Sequence, residues 1–331
     1  MAASHLLATM QDFRLPRIRL ASLQWSLRAA SEAAQLGEGP PPRLLFDAWV
    51  NMHFVSEDAA VDRFLHRPAR DGVAAYTVDD LVGLMTPLNI TGGILTKVTQ
   101  HPNPPFISSY NLTDEIVEKS CEEVASAVAS HPDHFIGAIM LDPRLGYGAA
   151  KHVAIAVDHY GLRAIRVMPA LSVLAANDAL CYPLYTACCD RGIPVTINVG
   201  IPGPLKPAKF QDPMALDEVA LAFPDLKIVM THMGDPWIPQ VISLLNKHPN
   251  LFLMTSGWAP KYIPSAILEF IEKRGPDKVM WASDYPALNF DRSVNEALQL
   301  PLSSDRLNRF LGLNALSVFG APKKSARGTA V

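Results

Sequence analysis

Two residues in the second half of the sequence have side chains and settings suited to moving a proton. His232 ends the apolar run of "KIVMTHMGDPW", and Asp284 ends that of "KVMWASDYP". An imidazole takes up or releases a proton near neutral pH, and a carboxylate is costly to bury unless it is paired, hydrogen-bonded or metal-bound. Each residue also fits a structural role, His232 as a satisfied buried histidine and Asp284 as a helix or turn cap. Their occurrence together favours acid–base chemistry.

A second group of residues has side chains suited to binding a substrate. Arg166, in "LRAIRVMPA", has a planar guanidinium that pairs with carboxylates, although a salt bridge at the surface would account for it equally well. Asn198, in "GIPVTINVG", and Asn51, in "FDAWVNMHF", have amides that can donate to a substrate oxygen, and a structural role stays open for both. The side chains that would complete the pocket are Trp49, His53 and Trp258.

Short β-branched runs alternate with helical segments from residue 44 onward. The runs are "RLLFDAWVN", "ITGGILTKV", "FIGAIML", "LRAIRVM", "IPVTINVG", "LKIVMTHMG", "NLFLMTS" and "DKVMWASD". Eight such alternations are typical of an α/β fold, the (β/α)₈ TIM barrel. The alternative is a doubly wound open sheet, which needs a Gly-rich phosphate turn after its first strand, and "DAWVNMHF" has none. We therefore predict a barrel.

The barrel explains why these polar residues belong together, because barrel chemistry gathers at the C-terminal ends of the strands. The residues at the predicted strand ends are Trp49, Asn51, His53, Lys97, Asp142, Arg166, Asn198, His232, Thr255, Ser256, Trp258 and Asp284. The loop "GIPGPLKPAKFQDP" follows the fifth strand and contains Lys206 and Lys209. We predict either a lid over the barrel mouth or a stiff surface excursion or subunit contact.

We predict a single folded domain with two flanking segments. Residues 1–43 form an extension with several arginines and an amphipathic pattern, "LPRIRLASLQWSLRAASEAAQL", which "GEGPPPR" ends. A surface helix or a poorly ordered extension is favoured over an organelle transit peptide. Residues 44–320 form the barrel, and residues 321–331, "APKKSARGTAV", form a tail.

The composition excludes several classes of protein. A formal net charge of −3 gives no electrostatic argument for binding nucleic acid or an anionic membrane. A hydrophobic content of 49% is enough for a large core, while the absence of an apolar run of about 18 residues argues against a membrane span. The four cysteines form no metal pattern, so we predict buried thiols in a reducing compartment, the cytoplasm.

The motifs together resemble the amidohydrolase superfamily, and within it the amidohydrolase-related branch that includes the aminocarboxymuconate-semialdehyde decarboxylase type. The resemblance extends over about residues 44–319. It is carried by "FDAWVN", "GIPVTINVG", "KIVMTHMGDPW", "HPNLFLMTSG", "DKVMWASDYP" and the closing "FLGLNALSVFG". The motifs of the sixth and eighth strands are the specific ones, and the others support them by order and spacing.

The resemblance implies a barrel enzyme that hydrolyses or decarboxylates small organic acids. It also implies a divalent metal held by a His-x-His on strand one, a His on strand five and an Asp on strand eight, with the strand-six His as acid and base. Carried over by residue, His232 matches the acid/base and Asp284 the carboxylate ligand. Trp49, Asn51 and Asn198 occupy the three histidine positions. Tryptophan is not a metal ligand, and amide oxygens replace imidazole poorly at a zinc site.

We therefore predict that the metal site has been lost. A divalent metal such as zinc would require a site rebuilt around Asp284 with His232 or His53. Bound zinc lowers the pKa of water from about 15.7 to about 7, which corresponds to roughly 11 kcal/mol of nucleophile activation. A general base contributes only about 10²–10⁴-fold, or roughly 3–5 kcal/mol. Amide hydrolysis by a metal-bound hydroxide is thus disfavoured.

The resulting prediction is non-oxidative decarboxylation of a small organic carboxylate by a carboxy-lyase. His232 would transfer the proton, Asp284 would orient it, and Arg166 would bind the acid. The first alternative is a hydrolase of an activated ester, lactone or amide. The second is a catalytically silent barrel that binds a small molecule. A homodimer is the expected assembly, and the organic acid is the expected binding partner.

Overall fold

A computed structural model of the chain describes residues 44–52, 76–97, 113–201 and 207–323. Eight parallel strands follow one another in chain order across one sheet, with neighbours hydrogen-bonded. They are β1 Leu45–Asn51, β2 Ile90–Lys97, β3 Phe135–Met140, β4 Ala164–Val167, β5 Val195–Asn198, β6 Ile228–Thr231, β7 Leu251–Met254 and β8 Val279–Met280.

The sheet closes on itself where the segment around β8 meets β1. Val50 forms a parallel bridge with Tyr285, and the Ala48 N–H donates to the Trp281 carbonyl at 3.2 Å. The Asn51 N–H donates in turn to the Tyr285 carbonyl at 3.1 Å. The predicted (β/α)₈ barrel is confirmed.

Helices connect the strands and cover the outside of the sheet. They are α1 Val78–Met85, α2 Asp114–Ser130, α3 Tyr147–Ala154, α4 Pro169–Ser172, α5 Tyr182–Asp190, α6 Ala215–Ala222, α7 Ile238–Lys247, α8 Ser265–Lys273, α9 Phe290–Leu298, α10 Ser304–Asn308 and α11 Asn314–Phe319. Side-chain caps start the first two, because Thr77 accepts from the Asp80 N–H and Thr113 from the Ile116 N–H. Within the described residues, none of the helices has the length and apolar character of a membrane span.

Two clusters of buried side chains form the core. The outer core lies between the strands and the helices and includes Val50, Leu95, Ile139, Ile165 and Ile197. The inner core fills the barrel and combines small and large residues. It contains Phe46, Ala48, Trp49, Ile94, Ile136, Ala138, Ala164, Val229, Met254, Met280 and Ala282, with residues of α11 packed against them.

Several predictions concern residues outside the described ranges. These are the extension of residues 1–43, His53, the loop centre at residues 202–206 with Lys206, and the tail beyond residue 323. The domain boundaries at residues 43/44 and 320/321 therefore stay predictions.

Candidate active site

The first strand contains a bulge that directs its side chains. Asp47 lies opposite Gly93 and Val50 opposite Leu95, so β1 advances three residues where β2 advances two. A bulge of this kind turns the following side chains. As a result Trp49 follows Ala48 into the inner core, while Val50 packs in the outer core.

Asp47 holds the bulge and joins it to the residues after β8. Its Oδ1 accepts from the Trp49 N–H and from the Ser283 N–H, both at 3.0 Å. The side chain is fully buried, and burial raises the pKa of this carboxyl to about 7, with a smaller contribution from the nearby charge of Asp284. The sequence "FDAWVN" alone predicts no role for Asp47, because a strand that alternates regularly does not reveal a bulge.

Arg166 lies at the centre of the candidate site, on β4. Its Cζ is 4.9 Å from the centroid of the Trp49 ring, which is a cation–π contact. Its Nε donates to Oδ1 of Asn198 at 3.2 Å, and the Thr231 hydroxyl donates to the same oxygen at 3.2 Å. The three candidate residues Trp49, Arg166 and Asn198, from β1, β4 and β5, are therefore brought together as predicted from the strand ends.

His232 follows β6 in a left-handed backbone conformation, with φ of 63°. Its Nδ1 lies 3.0 Å from the Ser256 carbonyl oxygen and 3.2 Å from the Ser256 hydroxyl. A carbonyl only accepts, so the proton of the neutral ring is assigned to Nδ1, and Nε2 is left with a lone pair. Burial lowers the pKa of His232, the Asp284 charge opposes this, and the Arg166 charge adds to it. The ring is therefore neutral at pH 7.

Asp284 stands beside this histidine, also with a positive φ of 56°. Its Oδ2 lies 4.0 Å from Nδ1 of His232, so its effect on the ring is electrostatic. The hydrogen bond that orients His232 comes instead from Ser256, which belonged to the strand-end residues without an assigned role. Non-glycine residues with positive φ cost free energy and tend to cluster at functional sites; Met233, with φ of 67°, is a third one here.

Gly257 allows the histidine and the carboxylate to approach. A Cβ at this position would lie 3.2 Å from Oδ2 of Asp284 and 3.3 Å from Nδ1 of His232, and φ is +76°. Any larger residue would therefore be strained and would press on both groups.

Asn51 is directed at Asp284. Its Nδ2 donates to Oδ1 of Asp284 at 3.0 Å and to the Tyr285 carbonyl at 2.9 Å. The amide nitrogen is thus engaged by Asp284 and Tyr285, and the predicted contact of Asn51 with a substrate oxygen stays a prediction. In the structure Asn51 positions Asp284.

The other strand-end residues have structural partners or lie elsewhere. Lys97 pairs with Glu123 on α2. The Arg144 guanidinium donates to Oδ2 of Asp142 twice, from Nε at 2.9 Å and from Nη2 at 2.6 Å. Trp258 is half-buried and packs against the outer core. Its contact with a substrate stays a prediction.

The residues at the expected metal positions do not fit a divalent cation. The polar atom of Trp49 is an N–H donor, the Asn51 nitrogen donates to Asp284, and Oδ1 of Asn198 already accepts from a guanidinium. Across residues 44–52, 76–97, 113–201 and 207–323, no three His, Cys, Asp or Glu side chains are grouped as metal ligands. The guanidinium of Arg166 contacts Trp49 and Asn198, two of the three residues at the histidine positions that the resemblance implies.

Comparison with known proteins gives a family and a fold. The family model described as amidohydrolase matches residues 103–321. Among curated proteins, none matches the chain in sequence.

Three solved structures illustrate the structural likeness. The 5-carboxyvanillate decarboxylase from Sphingomonas paucimobilis is 19% identical with a TM-score of 0.66, covering 85% of this chain and 100% of its own. A dihydroxybenzoic acid decarboxylase from a Polaromonas species, with bound manganese and 2-nitroresorcinol, is 19% identical with a TM-score of 0.62, covering 84% and 96%. A probable 2-pyrone-4,6-dicarboxylic acid hydrolase from Acinetobacter baumannii, with citric acid bound, is 17% identical with a TM-score of 0.55, covering 83% and 99%. At these identities the likeness establishes the fold.

Proposed function

The chain belongs to the amidohydrolase family, and from this premise we propose that it is a carboxy-lyase that removes CO₂ from a small organic carboxylate without oxidation. The single observation that carries the proposal is a largely buried proton-transfer group, His232, whose side chain is 12% exposed, near the buried guanidinium of Arg166, whose charge lowers its pKa. The decarboxylases of aromatic acids among the structural neighbours support the same substrate class.

The reaction makes two demands on a protein, and the site has groups for both. When the bond to the carboxylate carbon breaks, its electron pair stays on the substrate and is delocalised onto a conjugated oxygen. Arg166 and Asn198 stabilise the charge on that oxygen. The imidazolium form of His232 delivers a proton from Nε2 to the carbon that lost CO₂, while Nδ1–H stays on the Ser256 carbonyl. His232 then regains its proton from solvent.

Asp284 assists the same step through its charge. At 4.0 Å from Nδ1, its carboxylate favours the imidazolium and so opposes the effect of burial. Asn51 keeps this carboxylate in place through its 3.0 Å hydrogen bond. The N–H groups of Trp49 and Asn198 offer no lone pair to a cation, and the neighbouring Arg166 guanidinium is positively charged, which argues for an enzyme with no resident divalent metal.

One observation favours the second candidate, hydrolysis of an activated ester or lactone. The lowered pKa of His232 leaves Nε2 unprotonated at neutral pH, as a general base requires. A histidine base without a metal contributes about 10²–10⁴-fold, which suits an activated ester or lactone better than an amide.

The test is product formation from a panel of hydroxybenzoates and aliphatic keto acids, measured by chromatography and CO₂ release across pH 5 to 8. Decarboxylation should slow as the pH rises above the pKa of His232, because only the imidazolium donates. Hydrolysis should instead accelerate and level off above that pKa. Ligand-induced stabilisation with no product at any pH would indicate the silent binding barrel.

A pair of histidine variants sharpens this test. We expect His232→Gln to lower kcat by about 10²–10⁴-fold. The matched control is His152→Gln, because His152 is a buried histidine that pairs with Asp114 at 2.7 Å on the outer helices, away from His232. Equal kcat values for the two variants would contradict the role of His232.

Two further properties belong to the proposal. We expect a homodimer, since two-fold dimers are the commonest assemblies, and sedimentation analysis measures it. We expect a cytoplasmic location, because all four cysteines have free thiols, as in a reducing compartment. Fluorescence microscopy of a tagged chain checks it.

A further inference from the structure

Two buried hydrogen-bond donors at the centre of the site have no partner among the described residues. They are Nε1 of Trp49 and Nδ2 of Asn198, and both residues are 1% exposed. An indole N–H can only donate. The Asn198 amide is oriented by its own oxygen, which accepts from Arg166 and Thr231. That orientation leaves Nδ2 as the unpaired donor.

The guanidinium of Arg166 connects the two donors. It lies 4.9 Å from the ring of Trp49 and is hydrogen-bonded to Asn198. The carboxylate of the site, Asp284, is directed at Asn51 and His232. The two unpaired groups that contact or bond to Arg166 through their own residues are thus both N–H donors, and the guanidinium between them is positively charged.

We propose that Trp49, Arg166 and Asn198 form an anion-binding pocket that takes a negatively charged substrate oxygen at the position where the resembling enzymes hold a metal. The inference deepens the proposed function and rests on it for the nature of the substrate. A metal holds such an oxygen by positive charge. Here a fixed guanidinium and two desolvated N–H groups supply that charge without an exchangeable ion.

The same chemistry defines what the pocket rejects. In this pocket a divalent cation would face a positively charged guanidinium and two N–H groups, none of which offers a lone pair, so the pocket rejects it. A neutral primary amide of the same shape as a carboxylate has an NH2 group, itself a donor, in place of one oxygen, so it cannot accept from all of the donors in the pocket. The pocket is therefore expected to distinguish an acid from its amide.

The experiment is calorimetric titration of the full-length protein with sodium benzoate and, separately, with benzamide. We expect benzoate to bind and benzamide to bind at least about tenfold more weakly, consistent with the loss of one charged hydrogen bond. Asn198→Asp puts a carboxylate oxygen in place of Nδ2 and should abolish benzoate binding. Trp49→Phe removes the indole N–H and should weaken it by about tenfold.

A second buried tryptophan provides the matched control. Nε1 of Trp281 donates to the Ser293 hydroxyl at 2.9 Å, away from Arg166. Trp281→Phe should therefore leave benzoate affinity unchanged. Equal benzoate affinity in the wild type and in both pocket variants would overturn the proposal, as would failure of the wild type to bind benzoate.

Metal analysis after equilibration with manganese chloride is the second arm. We expect no stoichiometric manganese in either the wild type or Asp284→Ala. Stoichiometric manganese in the wild type that is lost in the variant would overturn the anion pocket in favour of a rebuilt metal site.

The outcomes separate this inference from the proposed function. Undiminished decarboxylation by variants that no longer bind benzoate would overturn the pocket and leave the carboxy-lyase standing. Benzoate binding with the expected variant pattern, but no turnover of any carboxylate, would support the pocket and overturn the carboxy-lyase.

Discussion

At the N-terminal end of the barrel, three cations donate to main-chain carbonyls. Arg163 donates to the carbonyls of Phe319 and Ala321, at 2.7 and 2.6 Å. Lys227 donates to carbonyls of α11, among them that of Ser317 at 3.1 Å. Lys278 donates to carbonyls at the start of β7 and before it, among them that of Pro249 at 2.6 Å. These hydrogen bonds link α11 and the segment before β7 to the N-terminal end of the barrel.

At the C-terminal end, the buried cation is surrounded differently. Arg166 is stacked on Trp49 and bonded to Asn198, and both of these residues keep an unpaired donor. Of the five non-glycine residues with positive φ in the described part of the chain, three lie at this end: His232, Met233 and Asp284. Buried polar groups are normally satisfied within a fold, so the two unpaired donors beside Arg166 support the proposal that this end binds a ligand.

The largest expected effect comes from exchanging one cation at each end for methionine. Arg166→Met should lower kcat/KM by about 10²–10³-fold, as for the loss of one charge-stabilising donor, with little loss of stability. Lys278→Met should do the opposite, because it leaves three carbonyls without their donor. Its free energy of unfolding should fall by about 1–3 kcal/mol. Steady-state kinetics and urea unfolding on both variants measure these two effects. Similar kcat/KM values and similar free energies of unfolding in the two variants would contradict the difference between the ends.

The positions of four candidate site residues could be predicted from the sequence, because the C-terminal ends of the strands meet at one end of the barrel. Arg166, Asn198, His232 and Asp284 each close a recognisable apolar run, so assigning the strands was enough to place them together. This worked even for β8, which has only the two residues Val279–Met280, since the surrounding motif identified it.

What could not be predicted depends on backbone geometry and on hydrogen-bond direction. The bulge in β1 has no signature in the alternation of "FDAWVN", so Asp47 was overlooked. The acceptor for His232 is a main-chain carbonyl, that of Ser256, and any residue type supplies one. Asn51 was expected to face a substrate because an amide can bond in several directions, and only coordinates show that its nitrogen meets Asp284.

The second prediction concerns Asp47, which connects the bulge to the β8 side of the site. Its folded pKa of about 7 lies above the reference value of 3.8. Its neutral form is thus favoured by folding, and the associated stability is complete below pH 4 and is lost as the pH rises through 7. Between pH 5 and pH 8 the wild type should lose about 3 kcal/mol of unfolding free energy from this group.

Asp47→Asn isolates that contribution. The amide oxygen still accepts from the Trp49 and Ser283 N–H groups, but the side chain no longer titrates. Urea unfolding at pH 5 and pH 8 should therefore show a smaller pH dependence in the variant than in the wild type. An identical slope in both would mean that Asp47 is not the group responsible.

The smallest expected effect compares the two buried tryptophans, one at the ligand end and one in the outer core. Trp281→Phe breaks the hydrogen bond to Ser293 and should cost about 1–3 kcal/mol of stability. Trp49→Phe removes an N–H that has no protein partner in the described structure, so the loss of that group should cost no hydrogen bond. The remaining loss in the free energy of unfolding comes from reduced packing and a weaker cation–π contact with Arg166, and is about 1 kcal/mol or less.

Thermal unfolding of both variants, with and without benzoate, tests whether the indole N–H of Trp49 contributes to ligand binding. Without benzoate, Trp281→Phe should be the less stable protein. With benzoate, it should gain as much stability as the wild type does, while Trp49→Phe should gain less, because ligand stabilisation follows affinity. The contrary outcome is that Trp49→Phe is the less stable variant without benzoate and gains as much stability from benzoate as the wild type does. The indole N–H of Trp49 would then contribute to folding and not to ligand binding, and the two ends of the barrel would not differ in this respect.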